Sequence, residues 1–211
     1  MNSHMEKNVA ISSSDAEKII PRAEFRVFGH GIIERVKEKM WEANATLFKA
    51  RKMPNETYFL SVHTDAVNVK VRDGLLDIKT KIGETPEGYE IFQPRGKFQF
   101  PVKRDELITI LQYLEVPMEL DQESYTLDAF IAMAKASREL VPVSVEKMRY
   151  GFTVNGIISE YAQVWLNGAL IETACCESEN YGGIKTTVAA LGIAELPNTN
   201  YLKAAKQVVG M

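Results

Sequence analysis

Between Val67 and Lys81 the chain alternates apolar and polar residues, Val-Asn-Val-Lys-Val-Arg and then, past Asp73-Gly74, Asp-Ile-Lys-Thr-Lys. A period of two marks a half-buried strand, because residues i and i+2 share a face. Strands are predicted for residues 23–28, 57–62, 67–72, 75–82, 88–93, 97–102, 143–154, 157–166 and 169–177. Elsewhere the period changes to that of a helix. Ile32, Ile33, Val36 and Met40 form one apolar face, Leu107, Ile108, Leu111 and Leu114 a second that Pro117 ends, and Leu127, Phe130, Ile131 and Ala134 a third with Ser124 as its cap. Ile184, Val188 and Leu191 form a fourth, closed by Gly192, and a short last helix covers residues 201–208.

Two-residue turns set the strand register. Asn155-Gly156 and Asn167-Gly168 are strong hairpin signals, and Asp73-Gly74 is read the same way. Counting from these turns pairs Lys70 with Asp77, Asn68 with Lys79, Arg149 with Ala162, Glu160 with Cys175 and Ile158 with Glu177. One sheet face then carries Asn68, Lys70, Arg72, Asp77, Lys79 and Lys81, and its back carries Val67, Val69, Val71, Leu76, Ile78 and Ile82. A second charged face carries Lys147, Arg149, Glu160, Glu177 and Glu179, backed by Met148, Tyr150, Phe152, Tyr161, Gln163 and Trp165, with Glu172 on the back. Charged faces with apolar backs, and helices to cover those backs, predict an α+β domain. It is an antiparallel, closed or nearly closed β-barrel with helices packed outside and charges in the lumen. Six cations on ladder positions require counter-anions, from the protein's own carboxylates (Asp77 could serve Lys70) or from a phosphate-rich ligand.

Composition narrows the function classes. The chain has 211 residues and a net charge of −3, so its cations are concentrated without being in excess, and no general nucleic-acid footprint is expected. No apolar run reaches the ~20 residues of a membrane helix, and the first residues lack the apolar core of a signal peptide. The adjacent Cys175 and Cys176 point to opposite faces of a strand and supply neither a staple nor a zinc pattern, which suits a reducing cytoplasm. Residues 1–16 read as an expression scar, Met1-Asn2-Ser3-His4, and a tail without periodicity, leaving residues 17–211 as one domain.

The chain resembles the CYTH family, the triphosphate tunnel fold that includes class IV adenylate cyclases and thiamine triphosphatases. The likeness lies in Ala23-Glu24-Phe25-Arg26-Val27-Phe28, in Asn68 to Gly74 running into Asp77 to Lys81, in Gly88-Tyr89-Glu90, and in Lys147-Met148-Arg149-Tyr150. Glu160, Glu177-Ser178-Glu179, Leu191-Gly192-Ile193 and Asn200-Tyr201-Leu202 complete it. The family's first strand reads Glu-x-Glu-x-Lys, and this chain has Glu24, Arg26 and Phe28 in that slot. The resemblance implies that a triphosphate-containing small molecule or inorganic polyphosphate is held by Arg26, Lys70, Arg72, Lys79, Lys81, Lys147 and Arg149. It implies magnesium or manganese on Glu24, Glu160, Glu177 and Glu179, with Lys147, Arg149 and Glu177 acting in hydrolysis or cyclisation. Two other readings stay open: a catalytically silent polyanion-binding module, and a structural or oligomerisation domain with solvent-facing charged strands. A homodimer is equally open.

Other groups carry less. His30 and His63 have no ligand partner at helical spacing, Gly29-His30-Gly31 is a plain turn before an anion site, and Arg95 and Lys97 extend the basic lining or sit in a solvated turn. Ser178 lacks a His and an Asp for a nucleophile triad.

Overall fold

The computed structural model describes residues 21–46 and 48–211. The reading of residues 1–16 as scar and tail lies outside them. The elements run β1 (Ala23–Gly29), α1 (Ile32–Glu42), β2 (Lys49–Lys52), β3 (Glu56–Ser61), β4 (Val67–Arg72), β5 (Leu75–Glu84), β6 (Glu90–Gln99), β7 (Val102–Lys103) and α2 (Arg104–Tyr113). They continue with β8 (Ser124–Tyr125), α3 (Leu127–Ala136), β9 (Leu140–Val154), β10 (Ile157–Leu166), β11 (Ala169–Ser178), α4 (Tyr181–Ala190) and α5 (Tyr201–Val209).

Eight strands form a ring in the order β10, β11, β1, β6, β5, β4, β3, β9, with β9 pairing back to β10 and every pairing antiparallel. The hairpins have the predicted register: Lys70 faces Asp77, Arg149 faces Ala162, and Glu160 faces Cys175. Both central residues of each turn have positive φ, at Asp73-Gly74, Asn155-Gly156 and Asn167-Gly168. That geometry matches strand twist and favours Asn or Asp followed by Gly. The ring is thinnest where β1 meets β6, since only Ala23 and Glu24 pair there. Beyond them residues 198 and 199 complete the seam: Arg26 N donates to Asn198 Oδ1 at 2.9 Å, Thr199 N donates to Arg26 O at 2.7 Å, and Asn198 Nδ2 donates to Gly88 O at 2.9 Å.

Two cores cover the outside of the ring. Helices α1 and α4 pack Ile33, Val36, Met40, Ile184 and Val188 on Phe25, Val27, Phe152, Tyr161 and Cys176. Helices α2 and α3 pack Leu107, Ile110, Leu111 and Phe130 on Phe59, Val67, Val69, Val71, Leu76 and Ile78. The fifth helix departs from the expected jacket. Leu202 and Ala205 of α5 join Tyr58, Leu60, Val143, Val145, Ala162, Val164 and Leu166 in a third core, and these are inward-facing strand positions. The closing helix therefore fills one end of the ring and floors the space that remains.

Several local expectations change. Residues 88–102 are not two strands parted by Pro94, because β6 runs through it: Arg95 is passed over between the pairs Ile78 to Gly96 and Lys79 to Pro94. A bulge accommodates a proline that a regular ladder would exclude. A second irregularity passes over Ile82, which is 44% exposed instead of lying on the apolar back. On α2 Ile110 is buried and Ile108 is exposed. Thr126, not Ser124, caps α3 by accepting from Ala129 N at 3.2 Å. Strand β2, Lys-Ala-Arg-Lys, has no apolar alternation and pairs only with β9, which hid it from the sequence reading. Among the described residues no helix is long and apolar enough to cross a membrane.

Candidate functional site

Above α5 the ring encloses a cavity of about 440 Å³. Strand parity aims its lining: Glu24 and Arg26 on β1, Glu56 and Tyr58 on β3, Asn68, Lys70 and Arg72 on β4, Lys79 on β5, Lys147 and Arg149 on β9, Glu160 on β10, and Cys175 and Glu177 on β11. Of the residues expected at a site, Glu24, Arg26, Lys70, Arg72, Lys79, Lys147, Arg149, Glu160, Glu177 and Glu179 all line this one cavity. Lys81 does not; its ammonium is bound to Glu84 and, at 3.1 Å, to Glu90. Arg95 is turned to Thr80 Oγ1 at 2.7 Å. His63 meets Glu139 on the surface, and Ser178 Oγ accepts from Asn180 N ahead of α4. Glu172 lies on the back, where it accepts from Ile33 N at 3.1 Å and so occupies the α1 N-terminus weighed as an anion site.

The lining holds seven cations and six carboxylates. Most of the counter-charge demanded by the pattern therefore comes from the protein, but it is unevenly placed. On one wall Lys70, Arg72 and Lys147 converge on a single carboxylate, Glu56, at 3.0, 3.6 and 2.5 Å. Arg72, not Lys70, takes Asp77, at 3.0 Å. Lys79 lines the same wall and has no ion-pair partner among the described residues. Burial alone would raise Glu56, but the Lys147 and Lys70 ammonium groups hold it down at about 2. Burial, with the like charge of Lys70, pushes Lys147 down to about 7 despite Glu56 beside it. Its ammonium also donates to Tyr58 OH at 2.8 Å and lies 4.3 Å from the centre of the Tyr201 ring.

Glu56 is the residue that sequence reading missed. It precedes the alternating run, so the predicted strand began one residue too late. Glu90 stands out in the sequence only through the family resemblance, yet it gathers Lys81, Asn200 Nδ2 at 2.8 Å and Lys203 at 3.3 Å. Asn200 also caps α5 by accepting from Lys203 N at 3.0 Å, so the floor helix and the ring share one anchor. Two buried polar atoms in the lining lack a partner: Asn68 Oδ1 and Tyr201 OH.

On the opposite wall stand the acids that the resemblance assigns to a metal. Arg26, only 5% exposed, occupies their midst. Its Nε and Nη2 fork onto Glu24 at 2.7 and 3.3 Å, Nη1 lies 3.5 Å from Glu160, and Nη2 reaches Cys175 Sγ at 2.9 Å. The guanidinium carbon lies 4.6 Å from the centre of the Tyr201 ring. Glu160 is further bound by Arg149, and Glu177 and Glu179 lie 3.5 and 4.0 Å from Arg22. Among the described residues no three His, Cys, Asp or Glu side chains are grouped to hold a metal ion. A divalent cation would have to displace a buried guanidinium from both Glu24 and Glu160, so this donor set does not fit one. Glu24 and Glu177 face each other across the β1–β11 ladder. Burial opposes the ionisation of both; Arg26 overcomes it and lowers Glu24, while burial, reinforced by Glu24, raises Glu177.

No family model matches the chain, and no curated protein matches it. Among solved structures it is similar to a conserved hypothetical protein from Pyrococcus furiosus, at 13% identity and a TM-score of 0.48, covering 86% of this chain and 98% of that one. It is also similar to an adenylyl cyclase candidate from Hippeastrum described as having a dominant triphosphatase activity, at 12% identity and a TM-score of 0.47, covering 90% and 95%. A candidate adenylate cyclase from Bacillus halodurans aligns at 12% identity and a TM-score of 0.44, covering 88% and 98%. The strand order, the inward charges and the apolar backs stand by themselves, a ring of eight antiparallel strands around a charged cavity.

Proposed function

We propose that this protein binds a triphosphate or similar phosphate-rich anion in the lumen. The observation that carries this reading is the excess of cations on one wall: Lys70, Arg72 and Lys147 share Glu56, and Lys79 beside them has no ion-pair partner among the described residues. Buried like charges repel, and an entering anion relieves that repulsion with charge-assisted hydrogen bonds. The cavity volume lies in the range of small-molecule sites. The unpartnered Tyr201 hydroxyl supplies a neutral donor beside the cations. Arg26 furnishes a fixed positive charge on the opposite wall, its N–H groups already taken up by Glu24, Glu160, Thr173 and Cys175. Binding a polyanion is also what the CYTH resemblance implies.

Tripolyphosphate is expected to raise the melting temperature by roughly 5–10 °C at about a hundredfold excess over Kd, since a ligand bound only by the folded state stabilises it by mass action. Sulfate at equal ionic strength should do far less. Equal shifts from the two anions, or no shift from either, count against a built polyanion site.

Hydrolysis of the bound anion with magnesium or manganese is the second reading, favoured by Glu177, whose raised carboxyl is suited to proton transfer. Because Arg26 occupies Glu24 and Glu160, phosphate release is expected to be weak or absent with either metal, while binding persists. The assay compares the native chain with Glu177→Gln and with the double substitution Arg26→Glu, Phe28→Lys. Robust native turnover abolished by Glu177→Gln establishes hydrolysis. Turnover in the double variant alone identifies Arg26 as the block.

A further inference from the structure

Strand β2 extends the cationic wall out of the cavity. In its ladder with β9, Lys49 faces Gly151 and Arg51 faces Arg149. Strand parity therefore puts Lys49 and Arg51 on the face that Arg149 shares with Lys147, and Met53, the next residue of that parity, lines the cavity itself. Met53 anchors the junction, with its N–H donating to Lys147 O at 2.9 Å and its sulfur 4.0 Å from Arg149 Nη1. All four β2 residues are exposed, and Lys49 and Arg51 have no ion-pair partner among the described residues. Like charges directly opposite on one face destabilise a ladder, yet Arg51 stands against Arg149. The nearby carboxylate, Glu160, is already divided between Arg149 and Arg26. Lysines that merely guard a free edge from aggregation would account for Lys49 and Lys52, but they do not require two arginines to be matched across a mouth.

We propose that Lys49, Arg51 and Arg149 form an outer anion subsite continuous with the lumen, so that the ligand is a linear polyphosphate chain longer than a triphosphate. The proposal rests on the lumen-binding reading above. From Lys147 to Arg149, and again from Arg51 to Lys49, the track advances roughly 7 Å. A three-phosphate chain seated on Lys70 and Lys147 stops short of Lys49. Bare polyphosphate is favoured over a nucleic-acid end because single-strand recognition uses aromatic platforms for the bases. Along the outer track beside β2 the aromatic side chains are on the back of the strands, where Phe48 packs 5.9 Å from Tyr150 and 6.5 Å from Tyr161.

The test measures binding of tripolyphosphate, a medium-chain polyphosphate and a 5′-triphosphorylated RNA oligonucleotide over a series of salt concentrations. The proteins are the native chain, the double variant Lys49→Gln, Arg51→Gln, and Lys52→Gln, whose side chain belongs to the opposite face. The double variant is expected to lose about tenfold in affinity for the medium chain and to lower the slope of log K against log salt by up to about two, with tripolyphosphate affected far less. Lys52→Gln should match the native protein, and melting temperatures verify that all three fold. Tripolyphosphate binding together with medium-chain binding indifferent to Lys49 and Arg51 overturns the outer subsite and leaves the lumen reading intact. Failure of the native protein to bind either phosphate overturns the lumen reading itself. RNA binding that exceeds polyphosphate binding and falls in the double variant overturns the choice of occupant.

Discussion

Replacing Glu56 with Gln is expected to lower folding stability by about 3–5 kcal/mol, because removing one partner of a buried ionic cluster strands the others. The carboxylate is buried, and among the described residues it is the one that forms ion pairs within 4.0 Å with Lys70, Arg72 and Lys147 together. The loss has a built-in limit. Lys147 titrates near 7 even with Glu56 present, so without it the ammonium sheds its proton and the repulsion is partly relieved. The loss should accordingly be larger at pH 6 than at pH 8. Tripolyphosphate should restore part of it, because its oxygens replace the missing counter-charge. Urea unfolding of both proteins with and without tripolyphosphate gives the comparison. The expected result is a greater ligand-induced gain in Glu56→Gln than in the native chain. An equal or smaller gain would mean that the anion does not bind at this wall.

Native stability is expected to rise between pH 7 and pH 9, and Lys147→Met should remove most of that rise. Lys147 is lowered from 10.5 to about 7 on folding, first by burial and then by Lys70. In that window the unfolded chain binds the proton and the folded chain does not, so stability increases with pH, by about 3 kcal/mol across the two pH units. Above pH 9 the trend is opposed, because burial raises Cys175, Cys176, Tyr58 and Tyr201, and the unfolded chain then loses thiol and phenol protons that the folded chain keeps. On the acid side Glu56 is lowered from 4.5 to about 2, so its contribution is complete above pH 4.5 and is lost as pH falls toward 2. The charged groups facing Lys147 are Glu56, Lys70 and Arg26, with the Tyr58 hydroxyl bonded to it. Denaturant midpoints across pH 5–10 for native and Lys147→Met test the assignment; identical profiles would assign the rise to other groups. The same titration predicts that a polyanion binds more weakly as pH rises through 7 and that binding at pH 8 draws a proton from solvent, which calorimetry in buffers of different ionisation enthalpy detects.

The residues that converge were legible because strand parity is a local rule. Once Asp73-Gly74, Asn155-Gly156 and Asn167-Gly168 set the register, the faces of Lys70, Lys79, Arg149, Glu160 and Cys175 followed by counting, and the observed ladders agree. Local rules also revealed α1 and α4, whose apolar stripes have helical period, and Glu172 as a back-face residue. Where the ladder breaks its period, counting failed. Arg95 and Ile82 are passed over in the β5–β6 pairing, and Lys81 is drawn to Glu84 and Glu90 instead of the cavity. Strand β2 has no alternation to detect and takes its form from pairing with β9.

What tertiary structure alone decided was which opposite charges meet. Glu56 lies 91 residues from Lys147, and no periodicity links them. Arg26 meets Glu24 within its own strand but reaches Glu160 and Cys175 only because β1 and β10 flank β11. Helix α5 shows an ordinary amphipathic pattern that does not distinguish the outside of a ring from its interior; the small Ala204 and Ala205 and the anchors at Asn200 and Lys203 let it lie inside, where it reduces the tunnel to a floored cavity. Sequence determines faces, because side-chain direction follows from each residue's neighbours along the chain. Ring closure determines partners, because it brings together faces whose separation along the chain carries no information about their distance in space.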